Sequence, residues 1–531
     1  NMEEYTALTG KPLLPPAWVF EPWAGGGVGR WMDGPTHDVI QEMEGVVRKF
    51  KNLDIPHSGL YAEGAGWKWE DHYNKEEIYK IAAFTKQQKM RVFSWQFSHL
   101  DMEQAKELLP NCAEEDLPIT RTPGYRGEKV LPCAIDFSHP RAEELLENQW
   151  HDRMDAGFDG TMVDFGEIIP DEAVFYDGRT GDEMHNAYAL DYTKAYRKLF
   201  EKYKGEDHVL FSRSAAAGVQ KYSCQFGGDQ LSSFRGLTYA MNGGLTLAAS
   251  GFPFWGVDAG GYSGFADEET YLRWTEFATF SPIMRFHGVT PREPWAYSRY
   301  AVSVYKFYAW LRENLLKYSV HTAEEAHKTG IPMMRPLPMV FPKDKEAVYW
   351  EDEYFYGSDL LAAPVHQEGE QRRIYFPAGR WINLLDFRKM VGGNRILQVD
   401  VPIDKIPVYI REGACILSVM NGELQLGQSM TYEKKNTVLM SRALNETSGK
   451  RYADGKEIEY NILGQTGEDF FMLRHASETE FIVLLGFDRK PESLELNGIS
   501  LSEGASLNAL NYGSGWYWSC LLYTSPSPRD S

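Results

Sequence analysis

The sequence predicts an α/β protein: a (β/α)8 TIM barrel followed by antiparallel β domains. Three observations carry that reading. Eight short apolar runs alternate with helical or turn stretches as far as about residue 290, which is the pattern of a closed parallel barrel. Most of these runs deliver a polar residue at their carboxyl ends: Glu63, Asp164, Arg213, Asp229, Asp258 and His287. In such barrels those ends form one rim, where catalytic groups collect. After Gly330 the chain changes to short apolar runs punctuated by Gly, Pro and Asp, as in antiparallel β structure.

In chain order, residues 1–16 read as a linker, with Gly10 followed by Pro12, Pro15 and Pro16. The strand candidates are Ala17 to Trp23, Ser58 to Ala62, Arg91 to Phe97, Thr161 to Asp164, His208 to Phe211, Tyr222 to Phe226, Phe252 to Val257 and Ile283 to Phe286. Between them, Ala142, Leu146, Trp150 and Met154 fall at intervals of four, as do Tyr188, Tyr192 and Tyr196, so each set lies on one helical face. Residues 98–135 read as a long irregular loop covering a site. The interval between strands five and six is too short for a full helix, which keeps a doubly wound open sheet as the alternative. Tyr297 to Tyr318 reads as one amphipathic helix closing the barrel region.

The expected domains are a catalytic barrel over 17–330, a proximal β domain over 331–420 and a distal one over 421–520. The apolar runs Met339 to Val340, Tyr354 to Phe355, Leu360 to Ala362, Ile374 to Phe376 and Val408 to Ile410 are the strand candidates of the proximal domain. Leu521 to Ser531 turns Ser- and Pro-rich and resembles sequence not selected to fold.

Composition narrows the function classes. No run of 18 or more apolar residues occurs in the 531, so no membrane span is expected. A net charge of −20 argues against a nucleic-acid partner, which needs a basic face. The five cysteines form neither a zinc pattern nor a disulfide framework, which tilts toward a reducing, cytoplasmic compartment. No cofactor or metal is expected. Aromatic content of 14% suits stacking of sugar rings and suits ordinary cores equally.

The chemistry centres on Phe158 to Pro170. An apolar run delivers Asp164, stops at Gly166, and is followed by Glu167 and Pro170. A carboxylate at the end of a buried strand needs a partner or a use. On the residues alone it is a nucleophile, a base, a helix cap or an ion-pair partner. A second rim carboxylate, Asp229, would make the pair that glycoside hydrolysis requires, about 5–5.5 Å apart in the retaining geometry.

Several motifs in register resemble glycoside hydrolase family 31. They are Asp164-Phe-Gly-Glu167 with Pro170, Met184-His185-Asn186, Ser212-Arg213-Ser214, Gly227-Gly228-Asp229, Asp258-Ala259-Gly260-Gly261 and Met284-Arg285-Phe286-His287-Gly288. Gly357 to Val365 and Pro377 to Trp381 resemble the family's β domain behind the barrel. The resemblance runs from about residue 5 to 415. It implies that Asp164 is the nucleophile and Asp229 the general acid/base. Arg213 and His287 would hydrogen-bond the sugar, Asp258, Trp95 and Trp255 would line its pocket, and Glu167 would support the nucleophile.

At the position that often carries an Asp for the sugar's outer hydroxyls stands Glu63, as a substitute. The family's barrel usually follows a β-sandwich, and no such domain is expected within the residues before Ala17. The implied function is a retaining, exo-acting α-glucosidase working on an oligosaccharide or α-glycoside. α-Xylosidase comes second and sulfoquinovosidase third. Gln230 and Tyr262 resemble the last group, whereas Gly64 to Trp69 lacks the Arg and Trp pair that holds a sulfonate there. A non-catalytic carbohydrate-binding subunit is the alternative from another class.

Overall fold

The computed structural model describes residues 2–26, 39–62, 74–126, 129–453, 455–465, 468–487, 489–510 and 515–518. Eight parallel strands close into a barrel. They are β1 (Trp23–Gly26), β2 (Gly59–Ala62), β3 (Arg91–Phe97), β4 (Gly160–Asp164), β5 (Val209–Ser212), β6 (Cys224–Phe226), β7 (Trp255–Ala259) and β8 (Ile283–Phe286). Each strand pairs with its sequence neighbour, and β1 pairs with β8 at Trp23–Arg285, so no edge is left open. That closure decides against the open-sheet alternative.

The connecting helices are α1 (Val39–Asn52), α2 (Lys75–Gln87), α3 (Ala142–Ala156), α4 (Gly181–Lys204), α5 (Phe234–Ala249) and α6 (Glu268–Thr279). Their ends follow from local chemistry. Asn74 and Glu77 form a reciprocal capping box that starts α2, and Gly157 takes the left-handed position that stops α3. The predicted faces are the buried ones: Leu146, Trp150 and Met154 on α3, and Tyr188, Tyr192, Tyr196 and Leu199 on α4, share one core cluster. Between β5 and β6 the chain has room for only a 3-10 turn, Val219–Lys221.

Several local expectations are corrected. Residues 1–16 do not run as a plain linker: Met2–Thr9 is a helix, and Gln220 Nε2 donates to Thr9 Oγ1 (3.1 Å) and Gly10 O (2.9 Å) just beyond it. Ala17–Phe20 is a 3-10 turn rather than strand, because Pro16 O accepts from Val19 N; the strand begins at Trp23. The expected loop over 98–135 carries its own structure. It holds a helix, Met102–Leu108, and a three-stranded antiparallel sheet of His99–Leu100, Ile119–Arg126 and Lys129–Ile135. The single helix from Tyr297 is two, Arg299–Asn314 and Leu316–Thr329.

The chain divides into two compact units, one of Asn1–Val302, Thr322–Arg335 and His366–Glu368, the other of Ser303–His321, Pro336–Val365 and Gly369–Ser531. Residues 303–321 therefore group with the β-rich unit, where Asn314 Nδ2 donates to Val419 O (2.8 Å) and Tyr318 Oη to Tyr356 O (3.0 Å). That unit holds an antiparallel sheet of Tyr354–Tyr356, Leu360–Ala362, Val408–Arg411, Arg380–Asn383 and Met390–Gly392, and several smaller ones. Leu360–Ala362 is the strand expected there, but Met339 and Val340 lie in a short helix, Leu337–Val340, that begins where Pro336 and Pro338 suit a first turn. Cys415–Met420, placed before the expected boundary at 420, pairs with Lys435–Ser441 beyond it.

All residues of the candidate site lie in the first unit, and the barrel sorts them by strand parity. Trp255 packs outward, toward the helices: a Cβ on Gly244 of α5 would come within 1.9 Å of its ring. Gly244→Ala should therefore lower the barrel's thermal transition. Alanine favours a helix by about 1 kcal/mol over glycine, but the overpacking costs about 1–3 kcal/mol. A rise in that transition would mean that the indole does not occupy the space.

Candidate active site

β4 ends on Asp164, a residue only 8% exposed at the inner mouth of the barrel. The chain leaves the strand through two left-handed residues, Phe165 (φ 58°) and Gly166 (φ 89°). Gly166 is required, since a Cβ there would meet Ser214 Oγ at 2.5 Å. Phe165 has no such freedom, and holding it there costs about 1–2 kcal/mol. The turn directs its backbone N–H to Asp164 Oδ1 (2.8 Å) and lays its ring 4.1 Å beneath the Arg213 guanidinium.

Three donors meet the carboxylate. Trp95 Nε1, from β3, donates to Oδ2 (2.8 Å), Phe165 N donates to Oδ1, and Arg213 Nη1 stands 3.2 Å from Oδ1. Burial pushes the Asp164 carboxyl up to about 6, against the pull of Arg213, Trp95 and Phe165 N, and the charge of Asp229 adds to the upward push. Arg213, just past β5, bridges Asp164 and Glu167. Burial works against its charge, and Asp164, Glu167 and Asp229 together outweigh burial. Tyr192 Oη of α4 lies 3.2 Å from the carbonyls of both Gln96 and Asp164, which ties the ends of β3 and β4 together.

Asp229 follows Gly227 and Gly228 on an exposed segment after β6. Asp258, on β7, is 1% exposed and forms an ion pair with Arg285 of β8, itself 1% exposed. The Arg285 guanidinium lies 5.4, 5.0 and 5.5 Å from the rings of Tyr61, Phe211 and Phe226, inside the barrel. His287 sets its ring against Tyr61, centroid to centroid 4.6 Å, and Tyr262 at 5.6 Å.

The structure thus gathers Asp164, Glu167, Trp95, Arg213 and Asp229 into one electrostatic group. It pairs Asp258 with Arg285, and both Arg285 and His287 pack on Tyr61. Trp255 is not brought to the site, for a reason of parity. It lies three residues before Asp258, and side chains alternate along a strand, so the two face opposite ways. Glu63 and Gly64 to Trp69 lie outside the described residues.

Two arginines were missed. Arg285 stands in the Met284–Gly288 motif, two residues before His287 and hence on the same inward face, a signal that alternation could have supplied. Arg292 sits in a plain Pro-Arg-Glu-Pro loop and is 2% exposed. Its guanidinium donates to Gly261 O (2.7 Å), Gly264 O (2.8 Å), Tyr262 O (3.2 Å), Ser232 Oγ (2.8 Å) and Thr290 O (3.1 Å). It therefore staples together the segments after β6, β7 and β8, which carry Asp229, follow Asp258 and follow His287. Nothing in the sequence pattern announces that role.

Residues 12–322 match the family model "Glycosyl hydrolases family 31 TIM-barrel domain", and 330–416 match "Glycosyl hydrolase family 31 C-terminal domain". An isomaltosyltransferase from Sporosarcina globispora is 27% identical over 97% of this chain and 52% of its own length. An α-xylosidase from Emericella nidulans is 30% identical over 78% of this chain and 55% of its own. The chain thus spans about half the length of these curated relatives. Among solved structures, the cycloalternan-forming enzyme of Listeria monocytogenes superposes with a TM-score of 0.85 at 23% identity, covering 98% of this chain and 54% of that one.

The staple makes a checkable demand. Arg292→Met takes the guanidinium donor from all four of these carbonyls and should lower stability by about 2–4 kcal/mol. Arg292→Lys should recover only part of that, because one ammonium cannot span a planar fork's acceptors. Thermal unfolding of the two variants beside the parent chain tests this; full recovery by lysine would reduce Arg292 to a simple charge.

Proposed function

The chain belongs to glycosyl hydrolase family 31, and from that premise we propose that it is a retaining, exo-acting α-glycosidase for terminal α-linked glucosyl residues. The observation that carries the reading is the Asp164 cluster: a buried carboxylate, held by three donors, that feels the charge of a second carboxylate at the rim. Asp164 acts as nucleophile and Asp229 as general acid/base. Among the described residues Oδ2 accepts only the Trp95 bond, which leaves it a lone pair for attack.

In the first step Oδ2 bonds to the anomeric carbon as the leaving oxygen takes the Asp229 proton. In the second, Asp229 removes a proton from water, whose oxygen displaces the Asp164 ester. Arg213 balances the carboxylate before attack and again as it departs. Asp258 and His287, fixed by Arg285 and Tyr61, are suited to the hydroxyls of the bound sugar. Such bonds raise the rate if they tighten in the transition state.

A second reading concerns the acceptor. The matches to the isomaltosyltransferase and the cycloalternan-forming enzyme extend over 97% and 98% of this chain, whereas that to the α-xylosidase stops at 78%. A sugar hydroxyl in place of water would then take the glycosyl group from Asp164. Incubation with isomaltose or maltotetraose separates the two: hydrolysis accumulates glucose, and transfer accumulates longer products. Aryl α-glucoside, α-xyloside, α-galactoside and sulfoquinovoside compared side by side settle the sugar.

Two outcomes test the roles. Asp164→Asn should abolish turnover with the fold retained, and Asp229→Asn should slow poor leaving groups far more than activated aryl ones; equal slowing would remove the acid role. The nucleophile must be ionised, so kcat/KM should fall as pH drops through about 6, the raised value of Asp164. Because the Trp95 bond lowers that value, Trp95→Phe should move the acid limb to higher pH. A limb that stays in place or moves down would assign it to another group.

A further inference from the structure

Phe265, in the segment after β7, is 55% exposed although its ring is built into a stack. One face lies on Tyr297, centroids 5.0 Å apart and planes at 22°, and Tyr297 lies on Tyr271 at 4.0 Å and 16°. Tyr271 Oη donates to Arg292 O (2.9 Å), which anchors the base of the stack. An aromatic side chain that packing already holds, with one face left to solvent, offers a flat apolar surface that loses little freedom on binding.

Its position is fixed relative to the rim carboxylate. Tyr262 N and Ser263 N both donate to Gln230 O (2.8 and 3.0 Å), and Ser263 pairs with Leu231 in a parallel bridge. Gln230 is the residue after Asp229; Leu231, the next, is 60% exposed. Arg292 Nη2 holds Ser232 Oγ and Gly264 O at 2.8 Å each, one on either segment. The open ring and Asp229 therefore belong to one clamped unit.

We propose that Phe265, with Leu231 on the paired segment, is the binding face for the leaving-group portion of an α-linked gluco-oligosaccharide. The inference rests on the assignment of Asp229 as the acid. That acid stands beside the oxygen that departs, and the sugar attached to that oxygen lies on the acid's side of the cleaved bond. An apolar face on the acid's own clamped unit meets this sugar rather than the one held against Asp164. The face commits the site to extended glucans over small glucosides.

Phe265→Ala and Phe265→Trp test it with two substrates, α-glucosyl fluoride, which has no leaving sugar, and isomaltotriose or maltotriose, which does. Phe265→Ala should lower kcat/KM for the trisaccharide by about tenfold and leave α-glucosyl fluoride unchanged, and Phe265→Trp should keep most of the trisaccharide rate. Equal losses on both substrates, or no loss on the trisaccharide, would overturn the proposal. A parent chain that turns over neither substrate would refute the activity reading instead. Calorimetric titration of the trisaccharide into Asp164→Asn, with and without Phe265→Ala, then decides this one. Weaker binding in the double variant supports it; equal binding, or none to either, overturns it.

Discussion

A carboxylate buried at the end of a barrel strand has lost most of its water, and the surroundings of Asp164 replace that water with three fixed donors. Desolvation still wins, which is why the carboxyl sits near 6 rather than in the ordinary range. Each donor has structural cause. Trp95 comes from the adjacent strand in parallel register, Phe165 N from a left-handed residue that continues β4, and Arg213 from the residue after β5. The strain at Phe165 is therefore tied to the carboxylate's donors: the same φ that costs energy aims one donor and seats the ring on which a second donor rests.

The remaining rim is held by arginines rather than by carboxylates. Arg285, among Tyr61, Phe211 and Phe226, fixes Asp258 from below. Arg292 fixes the segments above from their carbonyls. One side of the mouth is thus organised around a carboxylate in need of donors, the other around buried guanidinium groups in need of acceptors. Asp229 stands on the exposed segment between them, open to solvent as its proposed acid/base role requires.

Much of this was legible in the sequence because a barrel strand announces its end. The alternation of strands and helices, the polar residues that terminate strands and the four-residue spacing on α3 and α4 all follow from local chemistry. What was not legible depended on parity or on distant carbonyls. The family resemblance implies that Trp255 lines the pocket with Asp258, but three positions along a strand put it on the helix side. Arg292 was invisible because its acceptors are main-chain oxygens of two loops and one serine hydroxyl of a third, which no side-chain pattern records. The helix Met2–Thr9 was hidden by the prolines that follow it, although a proline ends a helix without forbidding one before it.

The central claim is that Asp164 bonds covalently to the sugar. Incubation with a 5-fluoro-α-glucosyl fluoride, which forms the ester readily and releases it slowly, followed by proteolysis and mass spectrometry, tests it directly. The predicted result is one fluoroglucosyl adduct on the peptide that contains Asp164, and none in Asp164→Asn. An adduct on Glu167 or Asp229 instead, or turnover of the reagent with no adduct on any carboxylate, would contradict it.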